Sequence, residues 1–153
     1  MNLQLQNSAM IGDLPSTGEP GLFILWEHCS LDPDTVLKML TLQFASVKHL
    51  VMNWAEESFL DNLKVFYGAN LPSASQKMEH IGTGSFHVFL FRDPSPVYAQ
   101  REASRRPEHV NVNHFVMKAV LRDLEGREYR VYCNINEREG KRDCWILFGK
   151  SVE

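Results

Sequence analysis

Two cationic side chains, Lys118 and Arg122, offer the clearest candidate chemistry in this chain of 153 residues. They are four residues apart, so in a helix their side chains share one face. A guanidinium presents a planar fork to two phosphate oxygens, and a neighbouring ammonium adds a second positive charge. Together with Arg101 from a preceding loop, they form a predicted phosphate clamp. The alternative is that both residues belong to the polar face of an amphipathic helix.

Uncharged polar side chains are predicted to line the same cleft. Asn113, Asn134 and Tyr132 are the candidates, and Asn111 and Asn136 flank them. An amide could bind ribose hydroxyls or the edge of a base, although helix capping is the simpler role for Asn113 and Asn136. The Tyr132 hydroxyl could orient a phosphate. It is a poor phosphoryl acceptor at neutral pH because the pKa of a phenol lies near 10.

Other motifs carry less chemistry. Gly82-Thr83-Gly84 precedes a strand, whereas a dinucleotide-binding loop follows one and opens a helix. His28 and His114 are the best-placed substitutes for a phosphoryl-accepting histidine, with ordinary packing as the alternative for each. The three cysteines have no CxxC spacing, so no metal site is expected. No cofactor can be named from these patterns.

Charge and composition narrow the class of partner. The net charge is −3, yet the segment from Arg92 to Arg122 carries six Lys or Arg against three acids. A local basic segment on an acidic protein suits a small anionic ligand better than nucleic acid, which usually needs a broad basic face. A solvated loop with ordinary surface charges is the alternative. No apolar run reaches the roughly 18 residues of a membrane span, and no secretory signal is evident. An odd number of cysteines favours a reducing cytoplasm.

The hydrophobic pattern predicts a polar, mobile arm over residues 1–20 and a single α+β domain over residues 21–153. The predicted strands are Leu22–Trp26, Val47–Trp54, Lys77–Ile81, Phe86–Phe91 and Tyr129–Cys133. The predicted helices are Pro33–Phe44, capped by Asp32, Glu56–Tyr67, a helix from Asn113 as its cap to Glu125, and one from Glu137 to Gly149. A long loop with three arginines is predicted from Asp93 to Val110.

This element order fits a small doubly wound sheet or a ferredoxin-like antiparallel sheet with helices packed on it. The second is favoured, because Phe86–Phe91 is apolar on both faces and a long helix follows it. We expect this strand at the centre and the two main helices on one side. The side chains expected to point inward are Val116, Met117, Val120, Leu121, Leu124, Cys144, Trp145, Leu147 and Phe148.

From Leu22 to Gly149 the layout is similar to that of nucleoside diphosphate kinases. In that family the first strand ends in a lysine motif, one helix carries a phosphate-binding arginine, and a later strand carries the histidine that accepts the phosphoryl group. Residues 23–26 resemble the first strand, and Glu27 falls at the lysine. The segment Tyr132-Cys133-Asn134-Ile135-Asn136 resembles the histidine segment, with Tyr132 at the histidine. Lys118 and Arg122 lie on the helix that matches the phosphate-binding region. The long loop that the family has before the histidine strand is absent here.

The resemblance implies a homo-oligomer and a binding domain for a phosphorylated, nucleotide-like ligand, without phosphohistidine transfer. Two other functions stay open. One is a structural or regulatory module that associates with itself or a partner, and the other is a phosphotransferase with a relocated histidine. The missing histidine and lysine favour a protein that is not an enzyme.

Overall fold

The computed structural model of the chain describes residues 18–68, 74–103, 106–126 and 130–149. These residues form an α+β fold, which confirms the predicted class. The strands are β1 (Glu19–Leu25), β2 (Ala45–Met52), β3 (Phe86–Asp93), β4 (Tyr98–Ala103), β5 (Arg106–Asn111) and β6 (Val131–Cys133). The helices are α1 (Pro33–Gln43), α2 (Glu56–Tyr67), α3 (Ala74–Ile81), α4 (Val112–Glu125) and α5 (Glu137–Phe148).

Four strands form one antiparallel sheet in the order β2-β3-β1-β6. β3 lies between β2 and β1, and Phe89 is opposite both His49 and Phe23. β6 pairs with the other side of β1, where Val131 is opposite Leu25. The order therefore places β6 at one edge of the sheet, so part of its backbone faces away from the other strands. β4 and β5 form a separate two-stranded antiparallel sheet.

Helices cover both faces of the four-stranded sheet. Alternate residues of β1 and β3 point to opposite faces, and both sets are buried. Phe23, Phe89 and Phe91 pack with the inward residues of α1 and α4 on one face. Ile24 and Val88 pack with those of α2, α3 and α5 on the other. The predicted central position of β3 and the placement of the two main helices on one side are confirmed.

Two helices begin at the capping residues that the sequence predicts. At α1, the Asp32 carboxylate accepts a hydrogen bond from the Thr35 amide at 3.1 Å, and Pro33 occupies the first turn. At α5, the side chain of Asn136 accepts one from the Glu139 amide at 2.9 Å. The Glu139 carboxylate in turn accepts one from the Ile135 amide at 3.0 Å. These bonds satisfy backbone groups that have no partner inside a helix.

Two predicted segments have a different secondary structure. Residues 77–81 were expected to form a strand but belong to α3, because Met78 and Ile81 are three residues apart and both pack on the core. The predicted loop from Asp93 to Val110 is wrong over most of its length, since β4 and β5 pair there from Tyr98–Asn111 to Ala103–Arg106. Several of their side chains are exposed, so the apolar alternation that marks a strand in a sequence is missing.

Several predicted positions are corrected as well. The cap of α4 is Asn111 rather than Asn113, because the Asn111 side chain accepts the Asn113 amide. Met117 and Leu121 point into the core, but three residues expected beside them are exposed: Val116, Val120 and Leu124. Trp145 of α5 was expected to be buried and is 59% exposed.

The domain boundaries are only partly described. The predicted mobile arm falls largely on residues 1–17, which lie outside the described residues. Its last residues, Glu19 and Pro20, belong to β1. The segment Tyr129–Cys133 is described from residue 130, and its strand is β6. Within the described part of the chain, no helix is both long and apolar enough to cross a membrane.

Candidate functional site

The outer edge of β6 is the place where cationic side chains gather. Arg122 reaches this edge from α4, and its Nε donates a hydrogen bond to the carbonyl oxygen of Val131 at 3.0 Å. An edge strand presents backbone groups that its neighbours in the sheet do not pair. Arg122 therefore has a structural role, as the donor to that carbonyl, and it also places a positive charge at the edge.

Lys118 lies one helical turn before Arg122, as the spacing predicts. Its Nζ is 5.4 Å from the centroid of the Phe115 ring. Burial lowers the pKa of Lys118, and the positive charge of Arg122 lowers it further. Burial raises the pKa of the nearby Cys133 thiol on β6, and the positive charges of Lys118 and Arg122 partly oppose this shift. The structure thus brings Lys118 and Arg122 together beside β6.

Lys77 is a third cation near this edge, and the sequence did not point to it. It comes from α3, on the other face of the sheet from α4. Its Nζ is 4.1 Å from the centroid of the Tyr67 ring, a cation–π contact. Burial lowers the pKa of Lys77 to about 7, and Arg122 contributes to that shift. The sequence predicts a strand at Lys77 and gives no reason to place it near Arg122. The packing of α3 brings the two residues near each other.

Tyr132 lies on β6 with its hydroxyl in a buried network. The hydroxyl donates a hydrogen bond to Oδ2 of Asp143 at 2.5 Å and accepts one from Arg142 at 3.1 Å. The guanidinium of Arg142 also forms an ion pair with Asp143 at 2.9 Å. Burial raises the pKa of Tyr132, and the charge of Asp143 adds to the shift. The hydroxyl is therefore held by protein groups and stays protonated at neutral pH.

The charges around β6 are unequal in number. Four cations belong to this region: Lys77, Lys118, Arg122 and Arg142. The acids that act on the same groups are Asp143 and Glu139. Burial raises the pKa of Asp143 to about 7, against the opposing effect of Arg142, so near neutral pH its carboxyl group is only partly ionised. Arg142 is paired with Asp143, so Lys77, Lys118 and Arg122 are the cations whose charges act on one another beside β6.

The other predicted ligand-binding residues lie elsewhere or are engaged within the fold. Arg101 is on β4, in the separate two-stranded sheet, and donates to the carbonyl of Gln100 at 2.9 Å. Asn113 donates to Asp93 at 2.9 Å. Asn134 is fully buried and accepts the amide of Leu22 at 2.8 Å. The structure unites Lys118 and Arg122, places Tyr132 on the adjacent strand, and gives Asn113 and Asn134 structural hydrogen bonds.

A buried network holds β4 and β5 to the main sheet. The Asn111 amide bridges two carboxylates, donating to Glu19 at 2.8 Å and to Asp93 at 3.0 Å. Tyr98 of β4 donates its hydroxyl hydrogen to Glu19 as well. Both carboxylates, those of Glu19 and Asp93, therefore accept hydrogen bonds, which offsets the cost of removing them from water. The network ties the start of β1 and the end of β3 to both strands of the smaller sheet.

The two candidate histidines have different environments. His114 is fully buried, and its ring lies against those of Phe44 and Phe91. Burial lowers its pKa to about 4. His28 is exposed, 3.7 Å from the carboxylate of Glu27. His114 is therefore closed off from solvent, whereas His28 is accessible.

Glu27 closes the glycine loop between α3 and β3. Its Oε1 accepts a hydrogen bond from the Gly84 amide at 3.0 Å. A Cβ atom at Gly84 would lie 2.0 Å from Oε2 of Glu27, and one at Gly82 would lie 2.3 Å from Oε1. The glycines therefore make room for this carboxylate. Gly82-Thr83-Gly84 holds an anionic side chain of its own chain rather than lying open to a phosphate.

Among the described residues, no group of three or more His, Cys, Asp or Glu is arranged to hold a metal ion. All three cysteines are free thiols. No protein-family model matches the chain, and no curated protein shows significant similarity to its sequence.

Proposed function

We propose that the chain is a binding domain for a phosphorylated, nucleotide-like ligand, which it holds at the outer edge of β6. The observation that carries the proposal is the approach of cations from two helices on opposite faces of the sheet. Lys118 and Arg122 come from α4, and Lys77 comes from α3. Arg122 contributes to the lowered pKa of both lysines.

The protonated forms of Lys77 and Lys118 are disfavoured at these positions. Placing like charges near one another and removing them partly from water both disfavour the protonated lysines. A phosphate would reverse both effects, because each oxygen can accept hydrogen bonds from ammonium and guanidinium groups. Lysines whose pKa is lowered by burial and by a neighbouring arginine are a pattern expected of an anion-binding site.

The layout supports the resemblance to nucleoside diphosphate kinases as part of this proposal. The strand order β2-β3-β1-β6, with α1 and α4 as the crossing helices, suits a ferredoxin-like arrangement. Tyr132, at the position of the family's histidine, is on the edge strand beside the cationic helix. We infer a cytoplasmic protein of this type.

The proposed domain does not transfer phosphate. The Tyr132 hydroxyl is bound by Asp143 and Arg142, and His114 is sealed in the core. Incubation with radiolabelled ATP should therefore leave no acid-labile phosphoenzyme. A labelled histidine that disappears in a His28→Gln variant would instead establish the phosphotransferase alternative.

The binding test is a thermal-shift panel of nucleoside mono-, di- and triphosphates and sugar phosphates. A ligand that binds only the folded chain must raise its melting temperature. At a ligand concentration one hundred times Kd, the free energy of unfolding increases by about 2.7 kcal/mol. We expect a shift that is lost in Lys118→Met and in Lys77→Met. Lys64→Met, which removes an exposed lysine of α2, is the matched control and should keep it. Equal shifts in all variants would place the site elsewhere.

One observation favours the second function, a self-associating module. Val116, Val120 and Leu124 are 52%, 41% and 59% exposed and lie four residues apart, so they form an apolar stripe on the outer face of α4. A stripe of this kind suits a symmetric homo-oligomer, in which the same surface serves both copies. Light scattering should then report an oligomer for the native chain and a monomer for Val120→Asp. A native monomer would remove this function.

A further inference from the structure

His49 and His87 form a close pair on neighbouring strands of the main sheet. Nε2 of His49 lies 2.8 Å from Nδ1 of His87. His49 is on β2 and His87 on β3, two residues out of direct register, so their side chains meet diagonally on the face that α1 covers. The His49 ring stacks on Phe89, with 4.6 Å between centroids and 9° between planes. The aromatic contact fixes the plane of one ring of the pair.

Both rings are only partly buried, so water and ions can reach them. Two imidazoles that share one hydrogen bond offer two nitrogen lone pairs when the shared proton moves to the far nitrogen of its ring. Neutral imidazole nitrogen is the commonest protein ligand for transition metals. The pair therefore has the donor chemistry of a metal site.

We propose that His49 and His87 bind a divalent transition-metal ion, Cu²⁺ or Ni²⁺, with water in the remaining positions. The 2.8 Å between the two nitrogens is the hydrogen bond of the metal-free pair, and it shows that both imidazoles can reach one ion once the shared proton has left. Imidazole nitrogen suits both ions, and Cu²⁺ binds nitrogen sites most tightly among the divalent first-row metals.

The surroundings supply charge for a cation. Burial lowers the pKa of His49, and the carboxylate of Asp34 in the first turn of α1 opposes that shift. The negative charge of Asp34 favours positive charge at His49, and it would favour a bound divalent ion there in the same way. The site is independent of the proposed phosphate site on β6.

The test is titration of the full chain with CuCl₂, followed by electron paramagnetic resonance and calorimetry. We expect a single tight ion per chain whose spectrum shows coupling to imidazole nitrogens. His87→Gln should abolish it, as should His49→Phe, which retains an aromatic ring to stack on Phe89. His28→Gln removes an exposed histidine elsewhere and should bind like the native chain.

Two results would overturn the proposal. One is a bound copper ion that survives both pair variants, which would show adventitious binding elsewhere. The other is the absence of any bound ion in a natively folded chain, which would leave a hydrogen-bonded pair and nothing more. Circular dichroism of each variant separates loss of ligands from loss of fold.

Discussion

The Tyr132 hydroxyl donates a hydrogen bond of 2.5 Å to Asp143, eleven residues further along the chain. The bond joins the edge strand β6 to α5, and Arg142 contacts both partners. Both Tyr132 and Asp143 are buried. Tyr132 is therefore part of a structural polar network.

Tyr132→Phe should lower the free energy of unfolding by about 1–3 kcal/mol, because it leaves a buried acceptor on Asp143 without its phenolic donor. Chemical denaturation measures this loss. A double-mutant cycle with Asp143→Asn should show coupling between the two positions. Purely additive losses would mean that the hydroxyl and the carboxylate do not stabilise each other.

Asp143 should make stability depend on pH. Its folded-state pKa is raised from 3.8 to about 7 by burial, so the folded state favours the protonated form. That contribution is fully present below pH 3.8 and is lost as the pH rises to about 7. Asp143→Asn cannot ionise, so its stability relative to the native chain should improve across this window. A constant difference between the two curves would show that Asp143 does not titrate there.

The two cations of α4 should differ in their effect on stability. In Lys118→Met the half-buried charge is removed and the length is kept, so the melting temperature should stay the same or rise slightly. Arg122→Met loses the bond to the Val131 carbonyl and should cost about 1–2 kcal/mol. If phosphate binds at β6, both variants lose it. A large destabilisation by Lys118→Met would assign that side chain to a structural ion network.

Phosphate binding should be linked to protonation of Lys77. Burial and Arg122 lower the pKa of this lysine to about 7, whereas a bound phosphate would favour its charged form. Affinity should therefore rise as the pH falls through about 7, with uptake of protons that calorimetry in two buffers detects. Lys77→Arg carries a permanent charge and should lose this pH dependence. An unchanged pH profile in Lys77→Arg would show that Lys77 does not contact the anion.

Asn111 should be important for the attachment of β4 and β5. Asn111→Ala removes the bridge between Glu19 and Asp93 together with the cap of α4, and we expect a loss of about 2–4 kcal/mol. Amide exchange in β4 and β5 should accelerate more than in β3. Asn113→Ala keeps the bridge and serves as the matched control, with a smaller loss. If the two substitutions lower the free energy of unfolding equally, the bridge from Asn111 to Glu19 and Asp93 does not add to stability.

Local features of this chain were readable from the sequence because they depend on neighbours within one or two helical turns. Asp32 followed by Pro33 marks the start of α1, and Asn136 marks the start of α5. The apolar character of β3 on both faces indicates burial between two layers. The four-residue spacing of Lys118 and Arg122 places them on one side of a helix in any fold.

Other features depend on residues that are distant in the chain, and only the packing of whole elements decides them. Lys77 approaches Arg122 across 45 positions because α3 and α4 pack beside the same edge strand from opposite faces. Two sides of α4 are hydrophobic, so its sequence alone does not determine which side faces the core. In the structure, Val116, Val120 and Leu124 face outward. Tyr98 reaches Glu19 across 79 positions. A periodic pattern specifies which face of an element is apolar, whereas the docking of elements specifies which side chains meet.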